Sequence, residues 1–329
     1  MMNLKRHLLA AAAILAIGAG SAAADRALKG KVAIDGSSTV FPISEAVAEE
    51  FLSVQPKIRV TIGVSGTGGG FKKFMVGETD INDASRPIKS KEAVKAAAAR
   101  IEYIELPVAY DGITIVVNPA NDWVDHLTVE ELHQIWMPGS KVEKWADVRA
   151  GWPDRKIKLY GPGTDSGTFD YFTEAINGDS QACRADFTAS EDDNVLVQGV
   201  VGDKDALGFF GFAYYVENAG TLKAVPIDDE MGQDGPVLPS MASISGGAYT
   251  PLSRPIFIYV NARAAERPDV ESFVNFYIES APKLVGEVGY VVLPKEIYEL
   301  VMTRFERRIT GSVYETGAHG SLAELLSIQ

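Results

Sequence analysis

Three short runs of small and hydroxyl-bearing residues each open into an apolar pattern of helical period: Gly36-Ser37-Ser38-Thr39, Ser65-Gly66-Thr67-Gly68-Gly69-Gly70 and Gly163-Thr164-Asp165-Ser166-Gly167-Thr168. Such a turn can hold an anion. The first N–H groups of a helix lack intrahelical partners and sit at the positive end of the helix dipole. Ser and Thr hydroxyls add donors that rotate freely, and glycine lets an ion approach the chain. The same residue types also serve as ordinary N-caps. Three such runs in one chain favour convergence on a shared oxyanion over three unrelated caps.

Other chemistries find less support. There is no G-x-S-x-G, the Gly63 to Gly68 spacing lacks the Lys and Ser/Thr that complete a P-loop, and Gly161-Pro162-Gly163 is followed by Ser166 where a dinucleotide loop needs Gly or Ala. No histidine lies near Ser38 or Ser166 in sequence to activate a hydroxyl. His126 and His133 stand seven apart without an H-E-x-x-H pattern or a Cys/His cluster, so no metal and no cofactor is expected. Cys183 is the single cysteine; it excludes an internal disulfide and reads as a small apolar residue. Phe209, Phe210, Phe212, Tyr214 and Tyr215 read as strand and helix core rather than a stacking platform.

The elements that must carry these loops alternate in period. Val32-Ala33-Ile34, Ile58 to Val64, Asp80 to Ser85, Ile101 to Val108, Ile113 to Asn118, Lys156 to Tyr160, Leu207 to Phe210 and Ile256 to Asn261 read as strands. Helical periods lie between most of them, with Ile43, Val47, Phe51 and Val54 on one face and long helices after Pro268. This is an α/β protein. Gly232 to Pro255 reads as loop. The segment after it lacks a core of its own, so it must pack back on the first part, and the chain then crosses between lobes near Tyr110–Asn118 and near Ser245–Pro255. The expected domains are residues 25–110 plus 255–329 for lobe I and 111–254 for lobe II.

Residues 1–24 combine Lys5 and Arg6, an apolar stretch from Leu8 to Ile17 and a small-residue end at Ala22-Ala23-Ala24, the three parts of a secretory signal peptide cleaved after Ala24. With no cysteine following it, the exported protein is expected free in the periplasm. The whole chain carries a net charge of −13, and removing the two basic residues of this leader leaves −15. Nucleic acid is therefore excluded as a partner. A small anion is not, because repulsion between exposed charges is screened beyond about 8 Å while site dipoles act at contact.

Asp35-Gly36-Ser37-Ser38-Thr39-Val40-Phe41-Pro42, Ala84-Ser85-Arg86-Pro87-Ile88 and Gly161 through Phe169 resemble the periplasmic phosphate-binding proteins of the phosphate-specific ABC transporter. Leu132 to Trp152, with Trp136, Gly139, Lys144 and Trp145, and Gly208-Phe209-Phe210-Gly211 extend the likeness over nearly the whole mature chain. The resemblance implies a two-lobe type II periplasmic binding protein fold with two interlobe crossings and a central cleft that closes on inorganic phosphate. It implies delivery to an inner-membrane ABC permease by a monomer that is not an enzyme. Carried over by motif, it implies phosphate ligands at Ser38 and Thr39, at Ser65 and Thr67, and at Ser166, Gly167 and Thr168. Better-known members have an aspartate where this chain has Arg86 and an arginine where it has Pro162. The resemblance then implies Ser85 and Arg86 as ligands, Arg86 serving from the opposite side of the cleft, with Asp165 accepting the ligand's proton. A receptor for sulfate, molybdate or tungstate would keep the same fold, and a secreted phosphoester hydrolase is the remaining alternative.

Overall fold

The computed structural model describes residues 28–164, 166–190, 192–231, 235–314 and 322–327. The expected signal peptide and Asp165 lie outside the described residues. The first part of the chain runs β1 (Gly30–Gly36), α1 (Phe41–Val54), β2 (Ile58–Val64), α2 (Gly66–Phe74), β3 (Ile81–Ala84), α3 (Ser90–Ala98) and β4 (Tyr103–Val117). The middle part holds β5 (Leu127–Thr128), α4 (Val129–Trp136), α5 (Trp145–Val148), β6 (Lys158–Pro162), α6 (Gly167–Asn177), β7 (Thr188–Ser190), α7 (Asp193–Gly202), β8 (Ala206–Gly211), α8 (Phe212–Asn218), β9 (Lys223–Ala224), β10 (Ile227–Asp228) and α9 (Met241–Ser245). The last part is β11 (Ser253–Asn261), a 3-10 turn, α10 (Pro268–Glu287), α11 (Lys295–Glu306) and α12 (Leu322–Ser327). The α/β alternation expected from the sequence is observed.

One mixed sheet holds most of these strands, in the order β2-β1-β3-β11-β4-β8-β6-β7, with β9 also on β4, while β5 and β10 pair separately. β1 lies parallel to β2 and β3, β6 parallel to β7 and β8, and the two parallel blocks meet at the antiparallel strands β11 and β4. The helices that follow parallel strands therefore start along the strands' C-terminal ends, where open α/β sheets place their ligands. All three hydroxyl-rich runs occupy such positions, after β1, β2 and β6.

Two expected strands, Ile101–Val108 and Ile113–Asn118, prove to be one. β4 is a 15-residue strand whose residues 103–112 pair with β11 and whose residues 113–117 pair with β8. Tyr110-Asp111-Gly112 reads as a turn because Asp and Gly are weak strand formers; here every residue of the strand is buried between covering helices, and tertiary pairing overrides local preference. Pro107, which cannot donate a ladder bond, lies beside a register shift opposite Ile256 and Phe257, where the carbonyl of Val108 is taken by the Tyr298 hydroxyl at 2.8 Å instead. Short helix α9 interrupts the stretch expected to be loop.

Packing follows the apolar periods. On α1, Ile43, Val47 and Phe51 are buried, and Phe51 meets Phe273 of α10 edge to face at 5.2 Å. The late helices thus cover the first strands, as the lack of a separate late core requires. In the middle part, Trp136 of α4 packs edge-on against Phe172 of α6 and Phe209 of β8 at 5.5 and 5.0 Å, and Phe172 stacks on Phe209 at 3.8 Å. These contacts clamp α6, and with it the third run, onto the sheet. His133 bridges the same helices through Nδ1, 3.1 Å from the Ile176 carbonyl and 3.0 Å from Asn177 Oδ1. Among the described residues no helix is long and apolar enough to cross a membrane.

Candidate oxyanion site

The first run leaves β1 with its geometry already set. The Ser37 amide donates to the Asp83 carbonyl on β3 at 3.0 Å, and the Ser37 hydroxyl accepts from the Thr39 amide at 3.2 Å. No side chain caps α1. The Ser38 amide and hydroxyl carry no hydrogen bond to the described residues, so they are available at the mouth of that helix.

The second run opens α2. Gly66 adopts a left-handed φ of 72°, and Gly70 is required by contact, since a Cβ there would lie 2.0 Å from Asn82 Oδ1 and 2.6 Å from the Gly36 Cα. This close approach brings the first two runs together. Thr67 Oγ1 accepts from the Ser85 amide at 3.1 Å and meets the Ser85 hydroxyl at 3.1 Å, which ties α2 to the end of β3. Ser65 turns elsewhere: its hydroxyl donates to the Asp35 carboxylate, which Lys73 Nζ approaches at 2.6 Å.

The third run opens α6. Ser166 caps it, its hydroxyl accepting from the Thr168 amide at 3.2 Å. Gly167 presses on the first run, where an added Cβ would lie 2.3 Å from Thr39 Oγ1 and 2.7 Å from the Thr39 amide nitrogen. The first and third runs are thus in van der Waals contact across the cleft.

That contact divides the cleft. One chamber of about 230 Å³ is lined by the first run, by Gly66, Thr67 and Gly68, by Ser85 and Arg86, and by Asp170, Tyr171, Glu174, Ser180 and Arg254. The other, of about 340 Å³, is lined by Ser38, Asp111, Ser166, Gly167, Thr168 and Asp193 among others. Of the residues expected as ligands, Ser38, Thr39, Thr67, Ser85 and Arg86 share the smaller chamber, Ser166, Gly167 and Thr168 border the larger, and Ser65 lines neither. Ser38 belongs to both.

Two arginines serve the smaller chamber, and they are held differently. Arg86 gives its fork to Glu92, with Nη1 and Nη2 at 2.8 and 2.9 Å from the two carboxylate oxygens, and Nη1 also reaches the Pro87 carbonyl at 3.1 Å. Burial alone would raise the Glu92 carboxyl pKa, but the Arg86 fork and the Lys89 amide hold it below the usual value. Arg254, at the start of β11, has its Cζ over the Tyr171 ring, 3.5 Å from the centroid, and the carboxylate oxygen it pairs with, Asp111 Oδ2, is 3.8 Å away. Its Nε is buried without a hydrogen-bond partner. Desolvation lowers the Arg254 pKa and raises that of Asp111, each group's burial outweighing the pull of the other.

Arg254 was not among the residues expected from sequence, although a signal for it was present. Ser253-Arg254-Pro255 repeats the triplet Ser85-Arg86-Pro87. A residue before proline is pushed to extended backbone, and β3 runs antiparallel to β11, with Ala84 opposite Phe257. The end of one strand thus lies beside the beginning of the other, which brings both arginines to the same edge of the sheet.

Beneath the first run, Asp83 is fully buried, and burial pushes its carboxyl up to about 8 despite the Ser44 hydroxyl beside it. Burial thus favours its neutral form. The arrangement as a whole offers hydroxyls, helix-start amides and guanidinium groups in a recess with no activated nucleophile among the described residues, which suits reversible capture of an oxyanion.

A family model described as a PBP superfamily domain matches residues 21–281. Protein SphX of Synechococcus elongatus is 48% identical, over 100% of this chain and 99% of its own length. The phosphate-binding protein PstS of Staphylococcus saprophyticus is 40% identical over 86% of each chain. Among solved structures, a possible phosphate binding protein from Planctomyces limnophilus superposes with a TM-score of 0.82 at 52% identity, covering 86% of this chain and 99% of that one. An ABC-type phosphate transport receptor from Vibrio cholerae superposes at 0.65 and 26% identity, over 80% of this chain and 100% of that one. With the mixed sheet that β4 carries through both parallel blocks and the loop-lined cleft, these likenesses show that the chain belongs to the PBP superfamily of type II periplasmic binding proteins, among the relatives of SphX and PstS.

Proposed function

We propose that the protein captures inorganic phosphate in the cleft and presents it to a membrane ABC permease. One observation carries the reading: donors from the first run, from the joined Thr67 and Ser85 and from Arg254 converge on one small polar chamber. Hydrogen bonds to a charged group are each worth about 1.5–3 kcal/mol, and micromolar affinity requires about 8 kcal/mol net, so a handful of such donors suffices. Ser166, Gly167 and Thr168 complete the grip when the larger chamber narrows, with Asp165, next to Ser166 in sequence, as the carboxylate that accepts the ligand's proton. The lobes are residues 25–110 plus 255–329 and residues 111–254, an assignment supported by the change of partner along β4 between Gly112 and Ile113. We further infer export to the periplasm, a monomeric state and no catalytic turnover, in keeping with a solute-binding family.

Calorimetric titration of the purified protein with phosphate, sulfate and molybdate tests the reading. One-to-one phosphate binding at micromolar affinity or tighter, with sulfate at least roughly a hundredfold weaker, is expected. Preference for another oxyanion would reassign the ligand, and turnover of a phosphoester would overturn the binding role.

A further inference from the structure

We propose that Tyr171 is the positioning residue of the smaller chamber: its ring holds the Arg254 guanidinium off Asp111, so that the N–H groups of this arginine stay free for the bound oxyanion. This deepens the phosphate reading and rests on it. The starting point is a mismatch in the sheet. Arg254 of β11 and Asp111 of β4 are directly opposite in register, so their side chains leave the same face of the sheet. Both are buried, the Arg254 side chain being 12% exposed and that of Asp111 4%. Opposite charges so placed should close into a hydrogen-bonded pair. Instead Arg254 Nη2 stops 3.8 Å from Asp111 Oδ2, beyond hydrogen-bond reach, and neither Arg254 Nε nor Asp111 Oδ2 has a hydrogen-bond partner. Two orphaned groups that face each other need a third that keeps them apart.

Tyr171 is that group. The Arg254 Cζ stands over its ring, 3.5 Å from the centroid. An aromatic face attracts a cation without taking up any of its N–H groups. The ring itself has little freedom. Tyr171 is buried on α6, its hydroxyl donates to the Pro251 carbonyl at 2.6 Å, three residues before Arg254, and the next residue, Phe172, stacks on Phe209 of β8 at 3.8 Å. Tyr171 and Arg254 line the same chamber as Ser38, Thr67 and Ser85. Arg86 shows the outcome that the ring prevents. Its Cζ is 5.9 Å from the Phe71 centroid, and both of its Nη groups are spent on Glu92 at 2.8 and 2.9 Å. Without Tyr171, the Arg254 fork would close on Asp111 in the same way, and an anion would have to break that pair before it could bind.

The test is a double-mutant cycle read by calorimetric titration of the purified protein with phosphate: wild type, Tyr171→Leu, Arg254→Gln and the double variant, with Tyr171→Phe as the conservative replacement. Tyr171→Leu should weaken phosphate binding by about tenfold, the scale of a desolvated cation–π contact. Tyr171→Phe keeps the ring and should bind within about threefold of the wild type, while loss of its hydroxyl contact lowers the melting temperature. In the Arg254→Gln background the Tyr171→Leu change should cost less than about twofold, because the ring acts through that arginine. Tyr171→Leu binding as tightly as the wild type, or losing as much without Arg254 as with it, would overturn this inference alone. So would a loss of about tenfold in Tyr171→Phe, an outcome that remains readable if Tyr171→Leu fails to fold. Absence of phosphate binding by the wild type would overturn the phosphate reading itself.

Discussion

Two identical triplets, Ser85-Arg86-Pro87 and Ser253-Arg254-Pro255, meet at one edge of the sheet and have different fates. In the first, the strand ends and the arginine fork is taken by Glu92 in a two-point ion pair at 2.8 and 2.9 Å. In the second, the strand begins, and the guanidinium stacks on Tyr171 with Nε unpartnered and Asp111 at 3.8 Å. Identical local sequence therefore yields one satisfied cation and one with donors to spare. The difference arises from what faces each triplet: a first-turn glutamate on α3 in one case, and an aromatic ring on α6 in the other. A planar guanidinium with free N–H groups in a dry recess is the stronger anion partner.

The contrast is broken most directly by replacing each arginine. Arg254→Gln should weaken phosphate binding by about a hundredfold or more, since a charge-assisted contact is lost in a buried setting. It should also lower the melting temperature, because Asp111 is left buried without a counter-charge. Arg86→Gln should cost roughly tenfold or less. Equal losses in calorimetry would erase the proposed distinction.

Releasing Arg86 sharpens it. Glu92→Gln removes the carboxylate that occupies the fork and should tighten phosphate binding by a few-fold, about the size of a partly exposed ion pair. The double variant Arg86→Gln/Glu92→Gln should lose this gain, and a titration showing it retained would exclude Arg86 as the route.

The smallest effect on binding concerns the strand that leads into the first triplet. β3 buries Asp83, whose carboxyl sits at about 8 in the fold, above its ordinary value of 3.8. The folded protein then favours holding a proton that the unfolded chain has released, so stability falls as pH rises from about 4 towards 8. Asp83→Asn should flatten that slope in thermal melts at pH 5 and pH 7.5. β11, the strand of the second triplet, carries no carboxylate and should show no counterpart.

Much of this was legible in residue order. The parallel strands and their helices follow from alternating periods, and the three anion-type turns are visible as Ser, Thr and Gly before apolar faces. The continuity of β4 was not, because Asp111-Gly112 resembles a turn until burial and pairing to two different partners are considered. Nor was the fate of Ser65, whose hydroxyl is drawn to Asp35, a residue 30 positions away. Arg254 could have been noticed as a repeated triplet, but its role depends on Tyr171 and Asp111, which only the fold brings beside it.

The placement of β11 has a further consequence. Residues 253–261 fill the slot between β3 and β4, so the sheet begun by the first hundred residues stays open there until residue 261 of the 329 has been made. Pairings this distant form slowly, because the intervening chain must be gathered before any contact compensates for its lost freedom. A nascent chain of this design cannot lock into its final form early. The gap between β3 and the first part of β4 stays unfilled for as long as the chain's last quarter is missing, whereas the strands of the middle part pair among themselves.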